Sequence, residues 1–187
     1  MSKEHPIIFS GPMVRAILDG RKTQTRRVMR EQPDSGSCNP RFEDDGWRFT
    51  RDWHGVVTIG EVGPFKSPYG VPGDRLWVRE SFRNGSCGIE YRADDVDPKL
   101  LKWRPSIHMP RGVSRITLKV LDVRVQMLRE ITEEDAKVEG AKSRAGFATL
   151  WDSIYARRTT AGGGCSWDDN PWVWAVTFLV EKEKDDN

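Results

Sequence analysis

The sequence predicts an α+β fold: a small curled sheet or barrel carrying two or three helices. Strand-like runs outnumber helical ones, and the long ones stand far apart in the chain. The longest, Ser114 to Gln126, keeps Ile116, Leu118 and Val120 in one phase, then passes the apolar role to Leu121, Val123 and Val125. Such a slip marks a bulge or bend near Val120, as a curling sheet requires. The last run, Val173 to Glu181, is apolar on both faces and reads as a central, buried strand.

The other elements follow in order. Met1 to Pro6 reads as a loose arm, and Ile7-Ile8-Phe9 as a short first strand. A helix comes next: Ser10 can cap it, Pro12 suits its first turn, and Gly20 can end it. Met13, Ala16 and Ile17 share the face expected to pack on the core. Residues 30–72 are rich in Gly, Pro, Asp and Ser. They read as an excursion from a single domain spanning 1–187, with a hairpin from Trp47–Thr50 and Val56–Ile59. Gly73-Asp74 marks a turn into a strand, Arg75 to Phe82; Gly85 to Gly88 breaks it, and Ile89 to Ala93 is a further strand. Pro98, Pro105 and Pro110 make Asp94 to Met109 irregular. Thr132 caps a short acidic helix that Gly140 ends. Phe147, Leu150, Trp151 and Ile154 give the stripe of an amphipathic helix, and Gly162 to Gly164 a connector.

A chain of 187 residues can bury one substantial core. Its net charge is only +2, which rules out a polybasic tail protein, but the charge is unevenly placed. Residues 15–30 carry six basic side chains against Asp19 alone, and residues 99–129 carry eight against Asp122 alone. Two such segments either form one phosphate-attracting patch or remain two solvated faces. Three cysteines and three histidines are scattered without a C-x-x-C pair, so neither a zinc site nor a disulfide framework is expected. No cofactor is called for. The absence of a leader or a membrane-length apolar run points to a cytoplasmic protein with no membrane partner. Oligomeric state is left open, with a monomer as the default.

Chemistry concentrates at Gly20 to Arg27. A glycine lets the backbone leave the helix, and Arg21, Lys22, Arg26 and Arg27 follow beside Thr23 and Thr25 with no acid among them. That is a place to receive an anion or a polar ligand. Gly20-Arg21-Lys22-Thr23 is not a phosphate-binding loop, because Gly, Lys and Ser/Thr are not contiguous, and no G-x-S-x-G or H-E-x-x-H occurs. Amide hydrolysis, the reaction implied by the family resemblance described in the next paragraph, needs a nucleophile, a base to activate it and an acid for the leaving amine. Thr25 offers the hydroxyl. Lys22 is a base if burial or the neighbouring arginines lower its pKa. Glu139 either exchanges a proton with the leaving group or holds Lys22 charged, two roles that place opposite demands on the lysine.

Gly20-x-Lys22-x-x-Thr25-x-Arg27 resembles the signature of the ASCH family, whose domains have a PUA-like β-barrel fold. Gly73-Asp74-Arg75-Leu76-Trp77-Val78 is similar to that family's turn into a barrel strand, and Ile131 to Gly140 to its short helix after the long strand. Arg104 to Arg111 and Asn170-Pro171-Trp172-Val173-Trp174 resemble a larger subgroup found mostly in phages and prophages. The resemblance implies a PUA-like barrel. It also implies, through compact members that deacetylate 4-acetylcytidine with a Lys, a Thr and a Glu, catalytic roles for Lys22, Thr25 and Glu139 without metal. Many other members carry Glu in place of Thr25 and are described as RNA-binding or RNA-processing domains. The implied partner is thus a modified nucleoside or RNA, with an RNA-binding module or a ribonuclease as the alternatives.

Further residues are candidates for holding substrate or nucleic acid. Arg21, Arg26, Arg27 and Arg111 are cations, and Glu80 is a spare acid at a strand end. His108 lies in a proline-bounded loop, and Trp77 and Trp103 can stack a base. Trp103, between Lys102 and Arg104, is the best placed of these for stacking, whereas Trp172 and Trp174 read as core.

Overall fold

A computed structural model describes residues 2–33, 37–44, 46–53, 56–94, 102–160 and 163–181, without side chains for 51–53 and 56–61. It is a mixed α+β protein. In chain order its elements are β1 (Glu4–Ile8), α1 (Gly11–Leu18), β2 (Gln24–Val28), β3 (Ser37–Glu43), β4 (Gly46–Trp53), β5 (Val56–Phe65), β6 (Arg75–Arg79), β7 (Phe82–Gly85) and β8 (Gly88–Tyr91). Then come β9 (Thr117–Met127), α2 (Glu133–Val138), α3 (Arg144–Tyr155), β10 (Thr159–Thr160), β11 (Gly163–Gly164) and β12 (Trp172–Glu181). No helix among the described residues is long and apolar enough to cross a membrane. The readings of 95–101 as irregular and of Gly162 as connector fall outside the described residues.

The chain forms two compact units. The first comprises Met1–Thr23, Tyr69–Asp122 and Thr177–Asn187. Its strand order is β1-β6-β9-β12. β1 runs parallel to β6, with Ile7 opposite Val78, and β6 runs antiparallel to β9, with Leu76 opposite Leu118. The strand thus begins at Glu4, inside the stretch read as a loose arm. An edge strand needs backbone pairing on one side only and tolerates Pro6. α1 starts where expected, at a Ser10 in the N-cap position, but the serine side chain makes no capping bond. Its buried residues are Val14, Ala16 and Ile17, so Val14 takes the place expected of Met13. Phe9 and Phe178 pack with ring centroids 6.1 Å apart. Asp74, 8 % exposed, fastens the turn before β6 by accepting from Lys3 N at 2.8 Å and Val71 N at 3.1 Å. The strand expected to run to Phe82 ends at Arg79, and β7 pairs with β8 as a separate hairpin.

The second unit comprises Gln24–Pro68 and Val123–Val176. Here the order is β9-β12-β2, and a separate antiparallel sheet has the order β3-β4-β5. The hairpin expected in 30–72 is β4 with β5, and β3 adds a third strand. Phe49 sets its ring edge-on against Trp172 at 4.9 Å. Leu128, Ile131, Ala136, Phe147, Trp151, Tyr155, Cys165 and Val173 form one buried cluster. α3 therefore buries Phe147, Trp151 and Tyr155, while Leu150 and Ile154 stay exposed, which moves the core stripe away from the expected one. The Trp151 indole donates to Cys165 O at 2.7 Å, which removes the cost of burying its N–H. Burial along β9 changes phase between Val120 and Val123, and Leu121 is exposed. The change of apolar face expected near Val120 thus lies one or two residues later. β12, expected to be buried over Val173–Glu181, is buried without a break from Trp172 to Val176 and again at Phe178, but Leu179 and Val180 are exposed.

Candidate functional site

The buried polar and charged residues among those described are Lys22, Gln24, Thr25, Arg26, Asp74, Glu80 and Glu139. Burying such groups costs several kcal/mol unless each finds partners, on the order of 3–5 kcal/mol for an uncompensated charge. Lys22, Thr25 and Glu139, the three residues read as catalytic from the sequence, are all in this set, at 1 %, 3 % and 5 % exposure.

In the first unit, α1 ends at Asp19, and Gly20 takes φ +71°, where a side chain would be strained. Lys22 N and Arg21 N both donate to Ala16 O at 2.9 Å, which turns the chain back on the helix end. The Lys22 ammonium lies 5.8 Å from the centre of the Phe9 ring. Arg21 remains at the surface, paired with Asp19 at 2.6 Å.

In the second unit, Thr25, Arg26 and Arg27 lie on β2, a strand that the cationic sequence concealed. α2 is capped by Thr132, whose hydroxyl accepts from Asp135 N at 3.0 Å. One turn of helix separates Asp135 from Glu139, so both carboxylates project from one face. The Arg26 guanidinium, with its side chain fully enclosed, meets that face. Its Nη2 donates to Asp135 Oδ2 at 2.6 Å, and its Nη1 to Gln24 Oε1 at 2.5 Å and to Glu139 Oε1 at 3.3 Å. Arg26 is therefore an internal cation holding two carboxylates, not part of an open cationic surface. Arg27 is half-buried on the same strand.

The remaining candidates lie in the first unit. Glu80 is 2 % exposed and accepts from Arg115 Nε at 2.9 Å and Nη2 at 3.2 Å. Arg115 also donates to both Asp94 oxygens, at 2.5 and 2.9 Å, and its guanidinium lies 4.0 Å from the centre of the Tyr91 ring. Burial pushes the Glu80 carboxyl above its usual range, against the pull of Arg115. Burial likewise raises the Tyr91 phenol. Burial opposes the charge on Arg115, yet the Asp94 and Glu80 carboxylates hold its pKa above the ordinary arginine value. Trp103 is half-buried, with the Arg83 guanidinium 5.4 Å from the centre of its ring, and Arg79 sits likewise over Trp77. His108 is exposed at the end of a 3-10 turn, Ser106–His108. Arg111 is exposed and grips Glu4 at 2.8 and 3.1 Å.

Sequence reasoning missed Gln24, Asp135, Asp94 and Arg115. Only the i, i+4 spacing of Asp135 and Glu139 on a capped helix hinted at their shared role. Among the described residues no group of three or more His, Cys, Asp and Glu is arranged to hold a metal ion. No protein-family model, curated protein or solved structure matches this chain.

Proposed function

We propose that this is an ASCH-type protein that hydrolyses the amide of an acylated nucleoside such as 4-acetylcytidine. The observation that carries the reading is the burial of Lys22, Thr25 and Glu139. A lysine held for its solubility stays in water, and this one does not. The motif Gly20-x-Lys22-x-x-Thr25-x-Arg27, with Glu139 ahead of Gly140, supplies the roles. The finer fold reading is a PUA-like barrel; the described strands β1-β6-β9-β12-β2 do not close into one, and the change of buried face along β9 is the feature that favours curling.

In this reading water adds across the bond between N4 of the base and the acyl carbon. Thr25 attacks the carbonyl or positions the water that does. Lys22 accepts the proton released, and Glu139 passes a proton to the departing amine. Water supplies the oxygen of the acetate, directly or by hydrolysing the Thr25 ester. Cytidine and acetate leave with one proton released to solvent, and the proton taken up by Lys22 returns to Glu139. The test is chromatographic conversion of 4-acetylcytidine to cytidine by wild type, Lys22→Ala and Thr25→Ala. Turnover by wild type alone supports the assignment, and equal turnover by either variant removes it.

A second reading, RNA binding without chemistry, draws on exposed Lys102 and Arg104, the latter lying over the Phe82 ring. Affinity for single-stranded RNA that falls steeply with salt, and falls again in Lys102→Ala with Arg104→Ala, favours it; salt-insensitive affinity counts against it. RNA cleavage lost in Glu139→Gln would move the reading to a ribonuclease.

A further inference from the structure

We propose that the open face of α3 is a self-association surface, on which a second copy of this chain packs antiparallel, α3 against α3. The solvent side of a surface helix ordinarily carries charge. From Ala145 to Ala156 no exposed residue of α3 is charged. Asp152, the one charged residue in that span, is half-buried and accepts from Trp167 N at 2.7 Å. Two apolar side chains stand in the open strip one turn apart, Leu150 and Ile154. The hydroxyls beside them are spent on the helix itself: Thr149 donates to Ala145 O at 3.2 Å and Ser153 to Leu150 O at 2.6 Å. Both can be covered without leaving a donor unpaired.

The strip is complementary to itself. Residues four apart form rows along a helix, and a row of large side chains on one helix fits the furrow between rows on another. Here the row Leu150–Ile154 lies beside the row Ala145–Thr149–Ser153, whose side chains are small. A two-fold axis level with Asp152 sets the large row of each copy into the small row of the other. Charge favours the same arrangement. Arg157 and Arg158 are exposed just beyond the C-terminal end of α3. At its start the exposed Glu133 accepts from Arg144 N at 2.9 Å, while the Arg144 side chain turns to Arg129 O at 2.7 Å and to the Trp167 ring. Antiparallel packing brings the two arginines of each copy to Glu133 of the other, whereas parallel packing sets arginines against arginines. Lys142, exposed ahead of the helix, weakens the attraction at that end without relieving the repulsion of the parallel arrangement.

One helix face is smaller than a standard interface, so the dimer is reversible. The test is sedimentation equilibrium of the full chain between about 1 μM and 1 mM. The weight-average mass of wild type is expected to climb from the 21.4 kDa of one chain towards twice that value. Leu150→Asp with Ile154→Asp is expected to weaken association by about ten-fold or more. Arg157→Glu with Arg158→Glu, and separately Glu133→Lys, should each lower self-association. An equimolar mixture of those two proteins should regain it, because each then meets the opposite charge. A wild type that is monomeric throughout overturns the proposal and leaves the face to a different partner. Association untouched by the two aspartates, or not recovered in the mixture, overturns it as well. Should the aspartate variant not fold, Leu150→Ser with Ile154→Ser carries the same readout.

Discussion

Nη2 of Arg26 lies 2.6 Å from Oδ2 of Asp135 across 109 residues of sequence, with the arginine side chain fully enclosed. This contact ties a short strand to the face of a capped helix, and it explains how a chain can hide a guanidinium among core residues. The cation and Glu139 were visible in the sequence; their pairing and the part of Asp135 were not.

Arg26→Met removes the fully enclosed cation that bridges half-buried Asp135 and buried Glu139. Removing one member of a buried ion cluster costs about 3–5 kcal/mol. Urea denaturation should show a loss of that size with an unchanged m value. A loss below about 1 kcal/mol would show that the cluster is solvated enough to do without its arginine.

Glu80 makes stability depend on pH in a direction unusual for a carboxylate. Its folded pKa is raised above the reference value of 4.5 by burial. The folded state therefore holds this proton more tightly than the unfolded chain. The contribution is fully present below about pH 4.5 and is lost as pH rises through the raised value. Glu80→Gln abolishes that window. The difference in stability between variant and wild type should shift in favour of the variant as pH climbs from 4 to 7; parallel profiles would contradict the assignment.

Asp74 behaves oppositely. Burial works to raise its pKa, but hydrogen bonds from Lys3 N and Val71 N, with His5 nearby, hold it below the reference value of 3.8. Its contribution is present above about pH 3.8 and is lost as pH falls through the lower folded value. Asp74→Asn should narrow the gap between neutral and strongly acidic stability, measured by thermal unfolding. A gap as wide as that of wild type would place the acid sensitivity elsewhere.

The two sides of α3 separate cleanly. Trp151 is buried at 3 % exposure and Leu150 lies open at 37 %. Trp151→Ala is expected to cost about 3–5 kcal/mol, and Leu150→Ala within about 0.5 kcal/mol. Comparable costs would mean that α3 turns a different face to the core.

Local signals were the legible ones. Thr132 capped its helix as expected because an N-cap bond spans three residues. Lys22, Thr25 and Glu139 stood out through short motifs. Of the strand read as buried over Val173–Glu181, Val173 to Val176 and Phe178 are buried, as the apolar run implied, whereas Leu179 and Val180 are exposed. Signals that depend on distant partners were not legible. β2 is a strand made of Gln, Thr and Arg, and its burial depends on Asp135 and Glu139 more than a hundred residues away. The stripe on α3 was readable but not its edge: of the expected Phe147, Leu150, Trp151 and Ile154, Phe147 and Trp151 are buried, and Tyr155, stacked on Trp151 at 4.3 Å, joins them in place of Leu150 and Ile154. Trp103 looked bare beside two cations, yet the guanidinium over it comes from Arg83, on a strand the spacing could not pair with it.

The initial rate of cytidine release from 4-acetylcytidine, compared between wild type, Thr25→Ser and Thr25→Ala, tests most directly whether the buried trio performs chemistry. The account predicts turnover by wild type, reduced turnover by the serine variant and none above background by the alanine variant. Equal rates in all three, or no release by the wild-type protein, would contradict it.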